Sequence, residues 1–349
     1  MVTINDIAKR ANVSVATISK VLNNQPGPSP ETREAVLAIA NELNYTITAA
    51  QQQKRKRINR TIGIITEEIT AFTTPRLIDG IGVCCEERGY HYILGNLRFN
   101  SRFDNNPIHL QKKADLIQEL TEDLQSRHAS AILYVGAMTQ MAIPLPVTEN
   151  YHFISVFSAS DNALIPAVIY DNRNAAYQAT KLLLDKGHRK IGMIAGSVST
   201  PHTMERLLGY QDALFEYGIP YNPQLTLYAN WDRNQSYDYF PFLLQENVTA
   251  IFSQNDIMAM GVYDYCNEHG IRIGRDLSLI GFDDCEYASF CRPSLSSISL
   301  PLFEIGHTAT NILIDLLEAG TPPKKQITQL KCKLVERESS NYQPPSSSS

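Results

Sequence analysis

Two hydrophobic rhythms divide the chain. Over residues 4–43 the apolar positions recur at helical spacing. Ile4, Ile7, Ala8 and Ala11 line one face of a first short helix, and Ile18, Val21 and Leu22 line a second. Thr3, with Asp6 three residues on, forms a capping box ahead of the first, and Ser14 caps the second. Only "ANV" lies between them, with Val13 placed to plug the angle. Helices this short are unstable alone and have to pack across each other, which predicts a helix-turn-helix. Ser29 and Pro30 open a third helix with the stripe Val36, Ile39, Ala40 and Leu43, closing a three-helix head near Tyr45.

From Thr61 the rhythm changes. Short apolar runs ("TIGIIT", "HYILGN", "SAILYVG", "FISVFS", "AVIYDN", "KIGMIAG", "LTLYANW", "AIFSQND", "LSLIGFDD") alternate with amphipathic helical stretches. That alternation predicts parallel sheets joined by right-handed crossovers. The stretch is too long for one such sheet, so two similar lobes with a cleft between them are expected. The expected layout is a head at 1–46, a linker at 47–60, a core at 61–337 and a disordered, Ser-rich tail at 338–349. Within the core, one lobe takes about 61–160 plus 292–320 and the other about 161–291 plus 321–337.

Composition and charge refine this picture. The 349 residues are 43% apolar, ample for a large core, and carry a net −5. The balance is uneven, because residues 1–60 hold nine Lys/Arg against four acids and the remainder is correspondingly acidic. A basic head on an acidic body points to polyanion contact by the head. Six cysteines without metal-ligand spacing read as reduced core residues of a cytoplasmic protein. No apolar run suits a signal peptide or a membrane span. Nucleophile-elbow, P-loop, dinucleotide and HExxH motifs are all missing, so no enzyme chemistry, cofactor or metal is expected.

In the second helix Val15, Ala16, Ser19, Lys20 and Asn23 fall on the outer face. Val15 and Ala16 at its first turn suit thymine methyl groups, and Lys20 suits guanine O6/N7. Thr17, Ser19 and Asn23 suit phosphate positioning. The plainer alternative is a merely solvated outer face on helices packed against the body.

Between head and core, "YTITAAQQQKRKRINR" holds good helix formers with no apolar stripe. It reads either as a solvated linker or as a helix that folds when phosphates neutralise Lys54, Arg55, Lys56 and Arg57.

In open α/β sheets ligands bind beyond the carboxyl ends of the strands. The candidates there are Glu67, Glu68, Phe157, Asp171, Trp231, Asn255, Asp256, Asp283 and Asp284. Carboxylates, an Asn and the single Trp suit a polyhydroxylated ligand. For any one carboxylate the alternative is a helix N-cap, and Asp256 and Asp284 are read as caps.

"TINDIAKRANVSVATISKVLNN" followed by "SPETREAVLAIANELNY" resembles the DNA-binding head of the LacI/GalR family of bacterial transcriptional repressors. "DKGHRKIGMIAG", "ERLLGY", "SQND" and "LIGFDD" extend the resemblance through the core, which is similar to periplasmic sugar-binding proteins. The resemblance implies a homodimer on a near-palindromic operator and a small-molecule effector in the cleft. It implies that Arg206 grips a ligand hydroxyl or carboxylate and that Asn255 and Asp283 bind sugar hydroxyls. Trp231 stands at an aromatic sugar platform, Glu67 at the end of the first strand, and Phe157 and Ser158 where Asp and Arg are common.

The family's hinge helix, which pairs in the minor groove, usually carries Pro-Asn, an Ala and a wedging Leu. Here Ile47 and Thr48, Gln51 and Lys54 stand at those points, so contact through charge is expected in place of intercalation. The resulting expectation is a repressor of carbohydrate-utilisation genes, released from its operator when a sugar binds. The alternative is control by a phosphoprotein co-repressor.

Overall fold

The structure, a computed structural model, describes residues 4–22, 27–43, 59–103, 110–136, 151–159, 165–320 and 326–344. It forms two compact units, residues 1–58 and 59–349. Thr3, Asn23, Lys54 and Arg55, and with them the expected linker helix, lie outside the described residues.

The head is built from α1 (Ile4–Ala11), α2 (Val15–Leu22) and α3 (Pro30–Glu42). Ile7, Ala8, Ile18, Val21, Val36 and Ala40 are buried together, and Val13 packs on them from the turn. Ser14 caps α2, its Oγ accepting from the Thr17 amide at 3.0 Å. Ser29 does the same for Thr32 ahead of α3 at 3.3 Å. Arg10 on α1 pairs with Glu42 on α3.

The first lobe of the core is a parallel sheet in the order β11-β5-β4-β3-β1-β2. Its strands are β1 (Thr61–Thr66), β2 (His91–Asn96), β3 (Ala131–Val135), β4 (His152–Val156), β5 (Ala167–Tyr170) and β11 (Ile327–Leu330). β3 is buried along its whole length, as expected of a parallel strand covered on both faces. Helix α6 (Leu110–Ser126) contributes Ile117 and Leu124 to a cluster with Ile65, Ile132 and Tyr134. α4 (Thr74–Arg88) and α11 (Leu302–Ala319) pack on each other with their backbones in contact. A Cβ on Gly80 would lie 2.0 Å from the Phe303 carbonyl, and one on Gly306 2.1 Å from that of Leu77. A short helix, α5 (Phe99–Phe103), follows β2.

The second lobe is a four-stranded parallel sheet in the order β7-β6-β8-β9. Its strands are β6 (Ile191–Ala195), β7 (Thr226–Tyr228), β8 (Ala250–Ser253) and β9 (Ser278–Ile280). Its helices are α7 (Asn172–Asp185), α8 (Pro201–Glu216), α9 (Arg233–Gln245) and α10 (Asp256–His269). Ile194, Phe240, Leu243, Ile251, Met258, Val262 and Leu279 make its core. β10 (Ser297–Ser299) pairs antiparallel with β12 (Lys333–Val335) and bridges to residues at and just after β9.

The lobes divide differently from the sequence-based expectation. β5 and β11 hydrogen-bond into the first sheet, while β10 lies beside the second. The chain therefore crosses between lobes after Tyr170, between Ser299 and Leu302, and between Leu330 and Lys333. The reason is packing: Ala167 and Val168 are buried where β5 pairs with β4, and β5 contacts α11.

The expected disordered tail also needs correction over 338–344, while residues 345–349 lie outside the described residues. Residues 338–340 form a 3-10 turn in which Ser339 and Ser340 are fully buried. Ser339 Oγ donates to the Leu279 carbonyl at 2.6 Å. The Tyr342 carbonyl accepts from Ser278 Oγ at 3.1 Å and contacts His188 Nε2 at 3.0 Å. Short hydroxyl side chains here satisfy backbone groups along a sheet edge, which a composition-based reading of a Ser-rich end misses. Among the described residues no helix is long and apolar enough to cross a membrane.

Candidate DNA-reading face and ligand cleft

Of the residues that the helical spacing turns outward on α2, Val15, Ala16 and Lys20 are described and exposed. Val15 is 43% exposed despite being apolar. Ser14 and Thr17 hold each other through their hydroxyls at 2.8 Å, fixing the first turn that would enter a groove. Ser19 lies on the same helix. Two free methyl-bearing side chains beside an exposed cation form a surface able to touch base edges.

The core site centres on Arg206 of α8, which is 3% exposed and bonded at every nitrogen. Its Nε donates to Asn172 Oδ1 at 2.9 Å, one terminal nitrogen donates to the Gln254 carbonyl, and the other to the Tyr170 hydroxyl at 2.9 Å. The guanidinium lies 3.6 Å from the Phe282 ring centroid and 5.6 Å from that of Trp231. Tyr170 ends β5 in the first lobe and Arg206 belongs to the second, so this bond spans the hinge. Gln254 is locked in turn, its Oε1 accepting from the Gly196 amide at 3.0 Å and its Nε2 donating to the Thr203 carbonyl at 3.1 Å.

Asp283 stands 4.0 Å from Arg206, at ion-pair range but too far for a hydrogen bond. Burial pushes its carboxyl far above the usual range, opposed by the Arg206 charge. No hydrogen bond reaches its carboxyl oxygens among the described residues. Asn255 caps α10, its Oδ1 accepting from the Met258 amide at 2.8 Å, and the cap leaves its amide nitrogen unused. Trp231 lies flat on the turn after β6, where a Cβ on Gly196 would be 2.1 Å from the indole. Only glycine fits under that ring.

Three strand ends share a feature. Phe157 (φ 72°), Trp231 (φ 65°) and Asp283 (φ 109°) all hold the left-handed backbone region that non-glycine residues avoid. Such conformations cost of order 1–3 kcal/mol each and concentrate at binding sites. Phe157, from the first lobe, stacks near Tyr170 at 5.1 Å and His202 at 6.1 Å.

The site departs from the sequence-based expectation in several places. Glu67 is fully committed inside the first lobe, to Lys113 at 2.7 Å and to the Tyr134 hydroxyl at 2.6 Å. A carboxylate already neutralised in a buried pair is a poor ligand group, so Glu67 drops from the binding set. Glu68 accepts from Ser101 and Thr70. Asp171 is the N-cap of α7. Neither Asp256 nor Asp284 is a cap. Asp284 pairs with Arg337 at 2.8 Å. Asp256 is buried behind the Asp283 turn, accepting from Ser297 Oγ at 2.6 Å and the Cys285 amide at 2.8 Å. Burial raises its carboxyl to about 7.

Sequence reasoning missed Tyr170, Asn172, Gln254 and above all His202. His202 stacks on Tyr170 at 5.7 Å, with Nδ1 3.0 Å from Asn172 Nδ2. Asn172 Oδ1 already accepts from Arg206, so its nitrogen donates to the imidazole and the proton of His202 sits on Nε2. Burial, then the Arg206 charge, hold the ring neutral with a pKa pushed down to about 3. Its Nε2–H and the Trp231 indole N–H are buried donors without a partner among the described residues. The hydroxyls of Thr66, at the end of β1, and Thr73, which precedes α4 without capping it, are likewise unpartnered among the described residues. Buried polar groups are rarely left so, which makes His202, bonded to Asn172, and Trp231, facing Arg206, candidates to bond a polar ligand. His202 follows "STP" at a helix start, and no pattern in the sequence distinguishes it from a surface residue.

A helix-turn-helix head joined to a two-lobed core with a polar, aromatic-lined cleft defines a ligand-responsive DNA-binding regulator. Residues 3–47 match the profile described as bacterial regulatory proteins, lacI family, and residues 180–340 that of a periplasmic binding protein-like domain. The ribose operon repressor of Haemophilus influenzae is 31% identical over 329 residues, covering 91% of this chain and 92% of that protein. Catabolite control protein A of Priestia megaterium is 29% identical, covering 97% of this chain and 99% of its own. A solved complex of the transcriptional regulator CelR with cellobiose has 26% identity, a TM-score of 0.66, and covers 97% of this chain and 100% of that one. The chain belongs to the lacI family of bacterial regulatory proteins and is a DNA-binding transcriptional regulator, not an enzyme.

Proposed function

We propose that the protein is a cytoplasmic repressor of carbohydrate-utilisation genes. Two copies bind a near-palindromic operator, and a sugar or sugar-like effector in the cleft releases them. The observation that carries this reading is Arg206 facing the Trp231 ring with Asp283 beside it and Asn255 at the neighbouring helix start, and with the indole and His202 N–H groups unpartnered among the described residues. Fixed donors and acceptors of both kinds against an aromatic face suit a ring of hydroxyls. The relative named for ribose and the structure holding cellobiose support the same ligand class. The role of Phe157 is to close the cleft from the first lobe.

Ligand binding is expected to act through the Tyr170–Arg206 bond, because both lobes meet there. Coupling of 1–3 kcal/mol, typical of such systems, would shift operator occupancy about 5- to 150-fold. The test is titration of the full chain onto DNA upstream of its own gene, with and without a panel of sugars. One sugar should lower operator affinity, and Arg206→Met should remove the response while leaving sugar-free operator affinity unchanged. Binding indifferent to every sugar would overturn the effector reading and leave the DNA-binding one standing.

A further inference from the structure

The two helix pairs of the second lobe are closed by the same contact. A Cβ on Gly209 of α8 would lie 2.0 Å from the Arg173 carbonyl of α7 and 2.9 Å from the Tyr177 amide. One on Gly261 of α10 would lie 2.3 Å and 2.8 Å from the corresponding groups of Arg233 and Tyr237 on α9. The side chains repeat as well. Arg173 donates through Nε and one terminal nitrogen to Asp212, at 2.6 Å and 2.9 Å. Arg233 does the same to Asp264, at 2.6 Å and 2.7 Å. Tyr177 donates to Glu216 and Tyr237 to Glu268. Each Asp stands three residues after its glycine and each Glu seven.

The first lobe shows what the contact does without the arginine. Gly80 of α4 meets the Phe303 carbonyl and His307 amide of α11 in the same way, and Glu87, seven residues on, pairs with His307. Phe303 and Val83, however, stand where the second lobe has Arg and Asp. The glycine contact therefore suffices to pack two helices, and the forked bridge is an addition. Exposed ion pairs contribute little stability, but a two-bond fork fixes orientation.

Both bridges sit at helix starts that carry cleft residues. Arg173 directly follows Asn172, whose Oδ1 accepts from Arg206 at 2.9 Å, and Asp212 lies on the same helix as Arg206. Arg233 follows Trp231 and the N-cap Asp232, and Asp264 lies on the helix that Asn255 caps. Asn230 and Trp231 both hold the left-handed backbone region, at φ 51° and 65°. A strained turn of this kind persists only where the surrounding structure fixes it. We propose that Arg173–Asp212 and Arg233–Asp264 are positioning pairs for the cleft. The first aligns Asn172 with Arg206, and the second holds the Trp231 indole over Gly196. Their part in ligand binding rests on the cleft being the effector site; the placement of the indole does not.

Trp231 is the single tryptophan, so its emission reports on the cleft without a ligand. In the full chain, Arg233→Met should at least double collisional quenching of that emission by acrylamide, and the exchange Arg233→Asp/Asp264→Arg should restore it. Arg272→Met breaks an equally exposed fork, to Asp276 in the turn before β9, and should leave quenching unchanged. Arg173→Met loosens Arg206, 5.6 Å from the indole ring, and should shift the emission maximum. Unchanged quenching in Arg233→Met overturns the second pair, and an unshifted maximum in Arg173→Met overturns the first. A rise matched in Arg272→Met, or one that follows a fall in melting temperature across the variants, reports general loosening and overturns both. Arg173→Met and Arg233→Met should also bind D-ribose or cellobiose, whichever the wild-type chain takes, at least fivefold more weakly in calorimetric titration; undiminished affinity overturns the proposal. The emission readouts need no ligand, so failure of both sugars to bind the wild-type chain counts against the effector reading alone.

Discussion

Asp256 provides a quantitative check on the electrostatics behind the cleft. Its carboxyl is wholly buried at the start of α10, accepts from Ser297 and Cys285, and is raised by burial from 3.8 to about 7. A carboxyl whose folded pKa exceeds its unfolded value favours the folded state while both states are protonated, below pH 4. That contribution is lost as pH rises from 4 through 7, because only the unfolded chain ionises freely. A displacement of three units or so corresponds to about 4 kcal/mol at most. Asn fits the same space, with its oxygen towards the Cys285 amide and its nitrogen donating to Ser297, and it does not titrate. Urea unfolding of wild type and Asp256→Asn from pH 4 to pH 8 should therefore diverge, the variant gaining up to about 4 kcal/mol on the wild type. His188 and His202, both lowered by burial, titrate in both proteins and cancel in the difference. Parallel pH profiles would show that Asp256 stays ionised in the fold and would refute the reasoning.

Other outcomes follow from particular contacts. Lys20→Ala should reduce discrimination between operator and scrambled DNA by about 1–3 kcal/mol, measured as a ratio of affinities; an unchanged ratio removes Lys20 from base reading. Tyr170→Phe deletes one charge-assisted bond across the hinge, and effector affinity should fall roughly tenfold in a calorimetric titration. Equal affinity would mean that the bond does not matter to closure. Deleting residues 338–349 strips the partners from Leu279, Ser278 and His188. It should lower unfolding free energy by about 3 kcal/mol, whereas a disposable tail would leave the denaturant midpoint where it was.

The head was legible almost completely because local spacing determines it. Ile18 and Val21 face inward, Val15 and Lys20 outward, and Ser14 caps, all from positions within one turn. The alternation of strands and helices in the core was equally visible. The assignment of β5 and β11 to the first sheet was not, since it depends on which sheet offers a free edge, a non-local fact. In the cleft, Arg206, Trp231, Asn255 and Asp283 stand at strand ends or on a flanking helix, as expected. Glu67 sits at a strand end too, but Lys113, 46 residues later in sequence, claims it. His202 and Tyr170 carry no signal of their own; their roles arise from stacking between segments more than thirty residues apart. Asn255 takes the capping role expected of Asp256, because one residue's shift at the helix start decides which side chain reaches the free amides, and Asp256 turns inward to Ser297 and Cys285.

The interleaving of the lobes has a consequence for synthesis. β5 is complete when residue 170 leaves the ribosome, but the strand that covers its outer edge, β11, ends at residue 330. At ordinary elongation rates the gap amounts to roughly 10–30 s. During that interval the second lobe can fold while the first presents an unpaired hydrophobic edge, the template for wrong pairing between nascent chains. α11, which packs against α4, arrives in the same late stretch. The two-lobed core of this regulator is therefore finished at its carboxyl end. Chains cut just before residue 330 leave the first lobe with an open β5 edge and the second without β12 and the 338–342 turn that pair with β10 and β9.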